Sequence, residues 1–306
     1  MSGFYAGGIH FPHTPIMIGA GVCKTPQGTL DWLKVAPVVS GSYTRQPRTG
    51  NQGNNLFYPE TEAEFLQLGF GLNSFGMPNM GFDAAAREFS LLIPENRLIV
   101  SVAGFSVQDY VAGVQQFDSV QSVSAIELNC GCPNTGHGTI MSFDIAALKQ
   151  TFQELLDLGF RETPIWVKFS PYSDPGFLKE VAALVNEYPR LIRAVVTCNT
   201  FPNAYAGKGV ISPNDGLAGL SGPAIKLTAL GQVVQFRKNL QPQIDVIGVG
   251  GITTGNDVVD FLHAGAVAVQ LTSLPFWSDK PSEFWSRLSN QQGDGDRLIE
   301  LLTHTI

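Results

Sequence analysis

The chain is short of positive charge: 19 Lys and Arg stand against 26 Asp and Glu, a formal net charge of -7. Nucleic acid needs a basic face, so it is excluded as the main partner. Cysteine is scarce as well. Cys23, Cys130, Cys132 and Cys198, in 306 residues, make no disulfide framework and fit no zinc spacing. The histidines (His10, His13, His137, His263, His304) also lack a metal-ligand spacing. No apolar run reaches the roughly 18 residues that span a bilayer. The first residues, Met1-Ser2-Gly3-Phe4-Tyr5, lack the basic start and apolar stretch of a secretion signal. The expectation is a cytoplasmic protein without a membrane partner. A serine nucleophile elbow, a Walker sequence and HExxH are missing too.

What is present is apolar material, 44% of residues with only 15% charged, enough for a sizeable core and too much for a disordered chain. Short apolar runs rich in β-branched residues fall at 16–18, 35–39, 71–73, 98–102, 125–128, 165–169, 193–197, 244–248 and 267–271. Most are apolar at nearly every position, which suits strands covered on both faces in a parallel sheet. Amphipathic stretches of helical length lie between them. Residues 143–158 align Ile145, Leu148, Phe152, Leu155 and Leu156; residues 174–187 align Phe177, Val181, Leu184 and Val185; residues 255–264 align Val258, Phe261 and Leu262.

Strand and helix alternating to the end of the chain predict an α/β fold. No Pro/Gly/Ser-rich linker divides it, so residues 1–306 read as one domain. Eight βα units closing into a TIM (β/α)8 barrel with parallel strands fit this length better than an open sheet plus a second domain. Nine candidates compete for eight places, and 71–73 is the weakest.

Glycine is abundant, 33 residues against the roughly 7% of ordinary proteins. Glycines and polar residues cluster just after the strand runs: Gly19-Ala20-Gly21, Asn129-Cys130-Gly131-Cys132, Asn199-Thr200 and Gly250-Gly251. Any one of these is an ordinary turn. Their recurrence at the same end of several strands predicts a site at the C-terminal face of the barrel.

Four groups there can carry chemistry. Cys132 precedes Pro133-Asn134 in a strand-end loop, where a thiol, ordinarily near pKa 8.5, is easily tuned as an acid or base. Lys168 sits inside an apolar run, a costly position unless it meets an anion or an acceptor. The segments 216–222, 248–251 and Thr272-Ser273 resemble backbone cradles for phosphate. Asn73, Asn129, Asn134 and Asn199 offer amides that match the N–H and C=O edge of a cyclic imide.

On these residues the chain resembles the flavin-dependent dihydroorotate dehydrogenases, specifically the soluble class 1A. The likeness is carried by Asn73-Ser74-Phe75-Gly76-Met77-Pro78-Asn79, Leu128-Asn129-Cys130-Gly131-Cys132-Pro133-Asn134, Val167-Lys168-Phe169-Ser170-Pro171-Tyr172 and Ile247-Gly248-Val249-Gly250-Gly251-Ile252, all in the family's order. It implies FMN as cofactor, its phosphate against Gly222, Gly250, Gly251, Thr272 and Ser273. Lys168 would lie on the N1/O2 side of the ring, with Ala20, Gly21, Ser42, Asn73 and Asn129 also near the flavin. A dihydropyrimidine would meet Asn73, Asn129, Asn134, Asn199 and Thr200, its carboxylate received by backbone at Phe75, Gly76 and Met77. Cys132 would take the C5 proton while hydride leaves C6 for flavin N5. A soluble electron acceptor such as fumarate and a homodimer follow from the class.

One departure bears on the substrate. Relatives carry a lysine before an Arg-x-Gly-Asn sequence; counting back from Arg48-Thr49-Gly50-Asn51, that place holds Gly41. A lost charge-assisted contact costs about 1.5–3 kcal/mol. The alternatives are therefore a flavin oxidoreductase acting on another dihydropyrimidine or a cyclic enone-like substrate, or a flavin-binding barrel without turnover. Asn-x-Gly-Cys-Pro also resembles tRNA-dihydrouridine synthases, against which the acidic charge speaks.

Overall fold

A strand with helices on one side and a filled barrel on the other has no wet face, so it needs apolar residues throughout. The computed structural model describes residues 4–11, 14–93, 97–132, 140–159, 163–277 and 281–289. Its eight barrel strands are β1 Ile16–Ile18, β2 Val38–Tyr43, β3 Leu98–Val102, β4 Val123–Asn129, β5 Ile165–Lys168, β6 Ile192–Val196, β7 Asp245–Val249 and β8 Ala268–Leu271. They pair in parallel in chain order and close, Val269 opposite Ile16 and Leu271 opposite Ile18. The helices that follow β1 to β7 are α1 Pro26–Leu33, α2 Phe82–Phe89, α3 Val107–Asp118, α4 Ile145–Asp157, α5 Pro175–Asn186, α6 Lys226–Asn239 and α7 Gly255–His263.

The predicted helices start where side chains can satisfy their free N–H groups. Asp144 accepts from the Ala147 amide at 2.9 Å, and Thr254 and Asp257 form a reciprocal cap on α7. On α4, Leu148, Phe152 and Leu155 are buried while Leu156 is 41% exposed, so its buried stripe is narrower than the sequence pattern suggested.

One strand assignment needs correction, and the weakest of the nine candidates finds its place. Residues 71–73 do form a strand, but outside the barrel. Gly71–Asn73 joins Leu56–Phe57, Phe201–Tyr205 and Leu217–Ser221 in an antiparallel sheet beside the barrel mouth. The second barrel strand runs Val38–Tyr43, whereas the sequence suggested 35–39. Its later residues are polar or small, yet fully paired internally. Ser40 Oγ lies 2.8 Å from Thr29 Oγ1 and 2.9 Å from Tyr43 OH, and Ser42 Oγ lies 2.8 Å from Ser101 Oγ.

Strand alternation sorts the barrel interior into layers. The lower layers are apolar: Met17, Val39, Ile99, Ala125, Trp166, Ala194, Ile247 and Ala268 form one buried cluster. Two residues further along four of those strands stand Ser101, Glu127, Lys168 and Gln270, all buried. The interior thus turns polar only towards the C-terminal mouth.

The opposite end is sealed by the hairpin of Phe4–Ala6 and Ile9–Phe11, whose Ala6, Ile9 and Phe11 join the interior cluster. The Trp166 indole donates to the Gly7 carbonyl at 2.9 Å, and the Gly7 amide donates to Asp245 Oδ2 at 2.8 Å. Gly7 has φ +56°, and a Cβ there would meet the indole at 2.1 Å, so only glycine fits.

Candidate active site

Lys168 ends β5 with its side chain in the barrel, only 5% exposed. A buried ammonium survives only with partners. It donates to Gln270 Oε1 at 3.2 Å and lies 3.8 Å from Glu127 Oε1, while Gln270 Nε2 donates to Glu127 Oε2 at 2.6 Å. Glu127 and Gln270 went unremarked in the sequence. The signal was the one that marked Lys168, a polar residue inside an apolar run: Glu127 supplies the counter-charge, and the neutral Gln270 amide bridges the two.

A second chain of hydrogen bonds crosses the strand ends. Ser101 and Ser42 share a hydrogen bond, Asn129 Nδ2 donates to Ser42 Oγ at 2.7 Å, and Asn199 Nδ2 donates to Asn129 Oδ1 at 2.9 Å. The Thr200 amide then donates to Asn199 Oδ1 at 2.8 Å. Two of the predicted amides are thus oriented by one another. The Thr200 hydroxyl is buried with no partner among the described residues, a donor and acceptor left for a ligand.

Cys132 is half-buried beside this chain. Its loop approaches β5 through Gly131, where a Cβ would lie 2.6 Å from the Ser170 amide. The other three cysteines are buried. Burial raises the thiols of Cys23 and Cys198 to about 12 and pushes Cys130 up as well, which keeps all three protonated. Cys130 is therefore a packing residue; Cys198 borders the glycine end of the cleft but is held protonated by burial, and Cys132 is the half-buried thiol at the other end.

The loop 73–79 is held from behind. Arg48 Nε donates to the Gly76 carbonyl at 3.0 Å, the Asn51 amide donates to Phe75 O at 2.8 Å, and Asn51 Nδ2 donates to Ser74 O at 2.8 Å. Over Phe75 lies Lys24 Nζ, 3.6 Å from the ring centroid. Lys24 was not singled out in the sequence, where it looks like any surface lysine before a helix.

Across the mouth, the glycine loops lie back to back. Gly222, Gly250 and Gly251 all have positive φ, and a Cβ on Gly251 would stand 2.9 Å from the Gly222 carbonyl. Asp257 ties the loop after β7 down, accepting from the amides of Thr253 and Thr254 at 2.8 Å each, and is itself paired with Lys226.

These elements enclose two adjoining hollows. One, of about 620 Å³, is lined by Gly222, Gly250, Gly251, Thr272 and Ser273 among others. The next, of about 700 Å³, is lined by Gly21, Ser42, Gly76, Met77, Asn129 and Cys132 among others. Ala20, Asn73, Phe75, Lys168, Asn199, Thr200 and Thr272 line both, so the two form one cleft. Every predicted site residue within the described regions borders it; Asn134 and His137 lie outside the described residues.

No Asp or Glu lines the cleft among the described residues, whereas Lys24 and Lys168 do. A protein of net charge -7 thus presents a locally cationic mouth, suited to anions. The donor set fits a phosphorylated planar cofactor. Side-chain-free loops stand at one end and a buried cation in the middle, and at Gly21 a Cβ would have no atom within 4 Å, so space stays open.

A closed parallel barrel that gathers a thiol, amides and cations at its C-terminal mouth is the architecture of an α/β-barrel enzyme. Comparison with known proteins narrows it. A sequence model of the family described as dihydroorotate dehydrogenase matches residues 7–282, and the chain belongs to that family. It is 31% identical to dihydroorotate dehydrogenase A (fumarate) of Lactococcus lactis subsp. cremoris (strain MG1363), over 91% of both chains. It is 32% identical to dihydroorotate dehydrogenase (fumarate) of Trypanosoma cruzi (strain CL Brener), over 86% of this chain and 83% of that one. Among solved structures, Eimeria tenella DHODH in complex with ferulenol superposes with a TM-score of 0.79 over 99% of this chain and 84% of that one. At 19% identity it supports the fold alone.

Proposed function

We propose that the protein oxidises dihydroorotate to orotate, using FMN and passing the electrons to fumarate. The observation that carries this reading is the convergence of Cys132, Lys168, Asn73, Asn129 and Asn199 on one cleft, without a carboxylate among its described lining residues, in a chain of this family. Its curated relatives are named for dihydroorotate and fumarate.

Bound FMN supplies a two-electron acceptor for the hydride of the substrate C6–H bond. Gly222, Gly250, Gly251, Thr272 and Ser273 would hold its phosphate, and Lys168 would meet the electron-rich edge of its ring. Cys132, as thiolate, takes the C5 proton, and Asn199 and Thr200 orient the ring beside it. Lys168 supplies positive charge where negative charge develops, its own burial offset by Glu127 and Gln270.

A cytoplasmic homodimer belongs to the same reading and rests on the class 1A resemblance. Among the described residues no helix is long and apolar enough to cross a membrane.

The experiment is an anaerobic titration of the FMN-loaded protein with dihydroorotate and with dihydrouracil. Bleaching of the flavin by dihydroorotate, followed by recolouring with fumarate, is the expected result. Bleaching by dihydrouracil alone would transfer the activity to a neutral dihydropyrimidine, the alternative that Gly41 raises. Loaded flavin that neither compound bleaches would leave a binding barrel without turnover.

A further inference from the structure

Gly41 does not admit the lysine that the class 1A resemblance places there. Its φ is +109°, and a Cβ would stand 2.8 Å from the Ser101 carbonyl and 2.9 Å from the Tyr43 amide. Both obstacles are backbone, which cannot swing aside as a flexible side chain would. The absence of that cation is therefore built into β2 and is not a single replaceable residue.

A cation enters the same hollow from the neighbouring strand end. Lys24 lies beyond β1, and both Lys24 and Gly41 line the part of the cleft that contains Cys132, Phe75 and Met77. The two segments are joined directly: the Gly41 amide donates to Cys23 O at 2.9 Å, and the Gly21 amide donates to Gly41 O at 2.8 Å. Lys24 Nζ rests on the Phe75 ring at 3.6 Å and has no carboxylate within ion-pairing distance among the described residues. Its amine is partly desolvated, which lowers its pKa to about 8, and it senses the Cys132 thiol electrostatically. An ammonium held on an aromatic face, with no carboxylate beside it and no Asp or Glu lining the cleft among the described residues, is arranged to receive an anion from outside.

We infer that Lys24 is the side chain that pairs with the carboxylate of the substrate beside the backbone at Phe75, Gly76 and Met77, supplying from the end of β1 the cation that β2 cannot carry. The inference rests on the proposed oxidation of dihydroorotate and deepens it: the cleft selects an anionic dihydropyrimidine, and Lys24 decides the selection. Lysine at position 24 then explains how the glycine at 41 is tolerated.

The test is a charge series at position 24 in the FMN-loaded protein: Lys24→Arg, Lys24→Met and Lys24→Glu. Orotate affinity is measured by calorimetry and FMN content by absorbance. The expected order is Lys24→Arg close to the unmodified protein, Lys24→Met weaker by about tenfold to a hundredfold, and Lys24→Glu weaker still, with FMN content unchanged. Met keeps the contact with Phe75 and removes the charge, so packing and charge are separated. Orotate affinity in Lys24→Met within twofold of the unmodified protein overturns the inference and leaves the function standing. If the unmodified, FMN-loaded protein fails to bind orotate at all, the functional proposal falls and this inference falls with it.

Discussion

The two ends of the cleft are made differently. Around Gly222, Gly250 and Gly251 the surface is backbone, fixed by positive-φ glycines packed on one another and by the Asp257 clamp. Around Cys132, Lys24 and Phe75 it is side chain, with half-buried groups on loops after several different strands. Backbone geometry tolerates little change because each added atom collides. Side chains can be exchanged and their roles moved between strands. The lysine that the resemblance places at Gly41, and Lys24, inferred to stand in for it, both belong to the side-chain half.

The largest effects should come from chemistry-bearing side chains. Cys132→Ala should leave FMN bound and slow anaerobic bleaching by dihydroorotate by about 10²–10⁴, the usual contribution of a positioned base. Stopped-flow absorbance checks it, and an unchanged rate would remove Cys132 from the mechanism. Next comes the buried charge between the halves. Glu127→Gln leaves the Lys168 ammonium, 5% exposed, without its counter-ion and should destabilise the fold by about 3–5 kcal/mol. Denaturant unfolding of the FMN-free protein measures this. The double variant Lys168→Met/Glu127→Gln should recover part of the loss, because no lone charge then stays buried. A double variant less stable than Glu127→Gln alone would mean that the pair matters for packing and not for charge.

The backbone half is also the half that was legible in advance. Glycine after a strand in a βα alternation is a local signal, so the segments 216–222 and 248–251 could be marked from the residues as loops at the barrel mouth. A barrel of parallel strands followed from runs that were mostly apolar at nearly every position, with nine runs competing for eight places. The side-chain half was legible only where a residue was out of character in its own segment. Lys168 qualified, as did Glu127 and Gln270, which the same rule would have found. Lys24 did not, because a lysine before a helix is ordinary until Phe75, 51 residues later in the sequence, is folded beneath it. The run at 71–73, the weakest of nine candidates for eight places, could be marked as extended but not placed, because only pairing decides which sheet receives it.

A smaller effect probes the rigidity of the backbone half. Gly251→Ala places a Cβ at φ +73°, 2.9 Å from the Gly222 carbonyl and from the Lys226 amide. Strain of about 1–3 kcal/mol should appear as weaker FMN binding, roughly fivefold to a hundredfold, with the orotate affinity of the reconstituted protein little changed. Fluorescence titration of the FMN-free protein with FMN reads the first, and calorimetry with orotate the second. Equal losses for both ligands would show that the halves are mechanically coupled and that their difference in construction has no functional counterpart.

The smallest expected effect is in pH. Burial lowers the Lys24 amine to about 8, so in the free protein its charge is present below that pH and lost above it. An anion bound beside it favours the charged form, so above pH 8 binding must take up a proton. Orotate affinity should therefore be level below about pH 8 and fall by up to about tenfold per unit above it. Two other groups border this part of the cleft: Lys168, paired with Glu127, and Cys132, whose thiolate would also repel the ligand at high pH. Lys24→Met should flatten the lysine's share of the decline, and Cys132→Ser the share of the thiol. An unmodified protein whose orotate affinity stays constant from pH 7 to pH 10 would place the Lys24 amine beyond the ligand's reach. The side-chain half would then recognise its anion by backbone amides, as the glycine half is built to do.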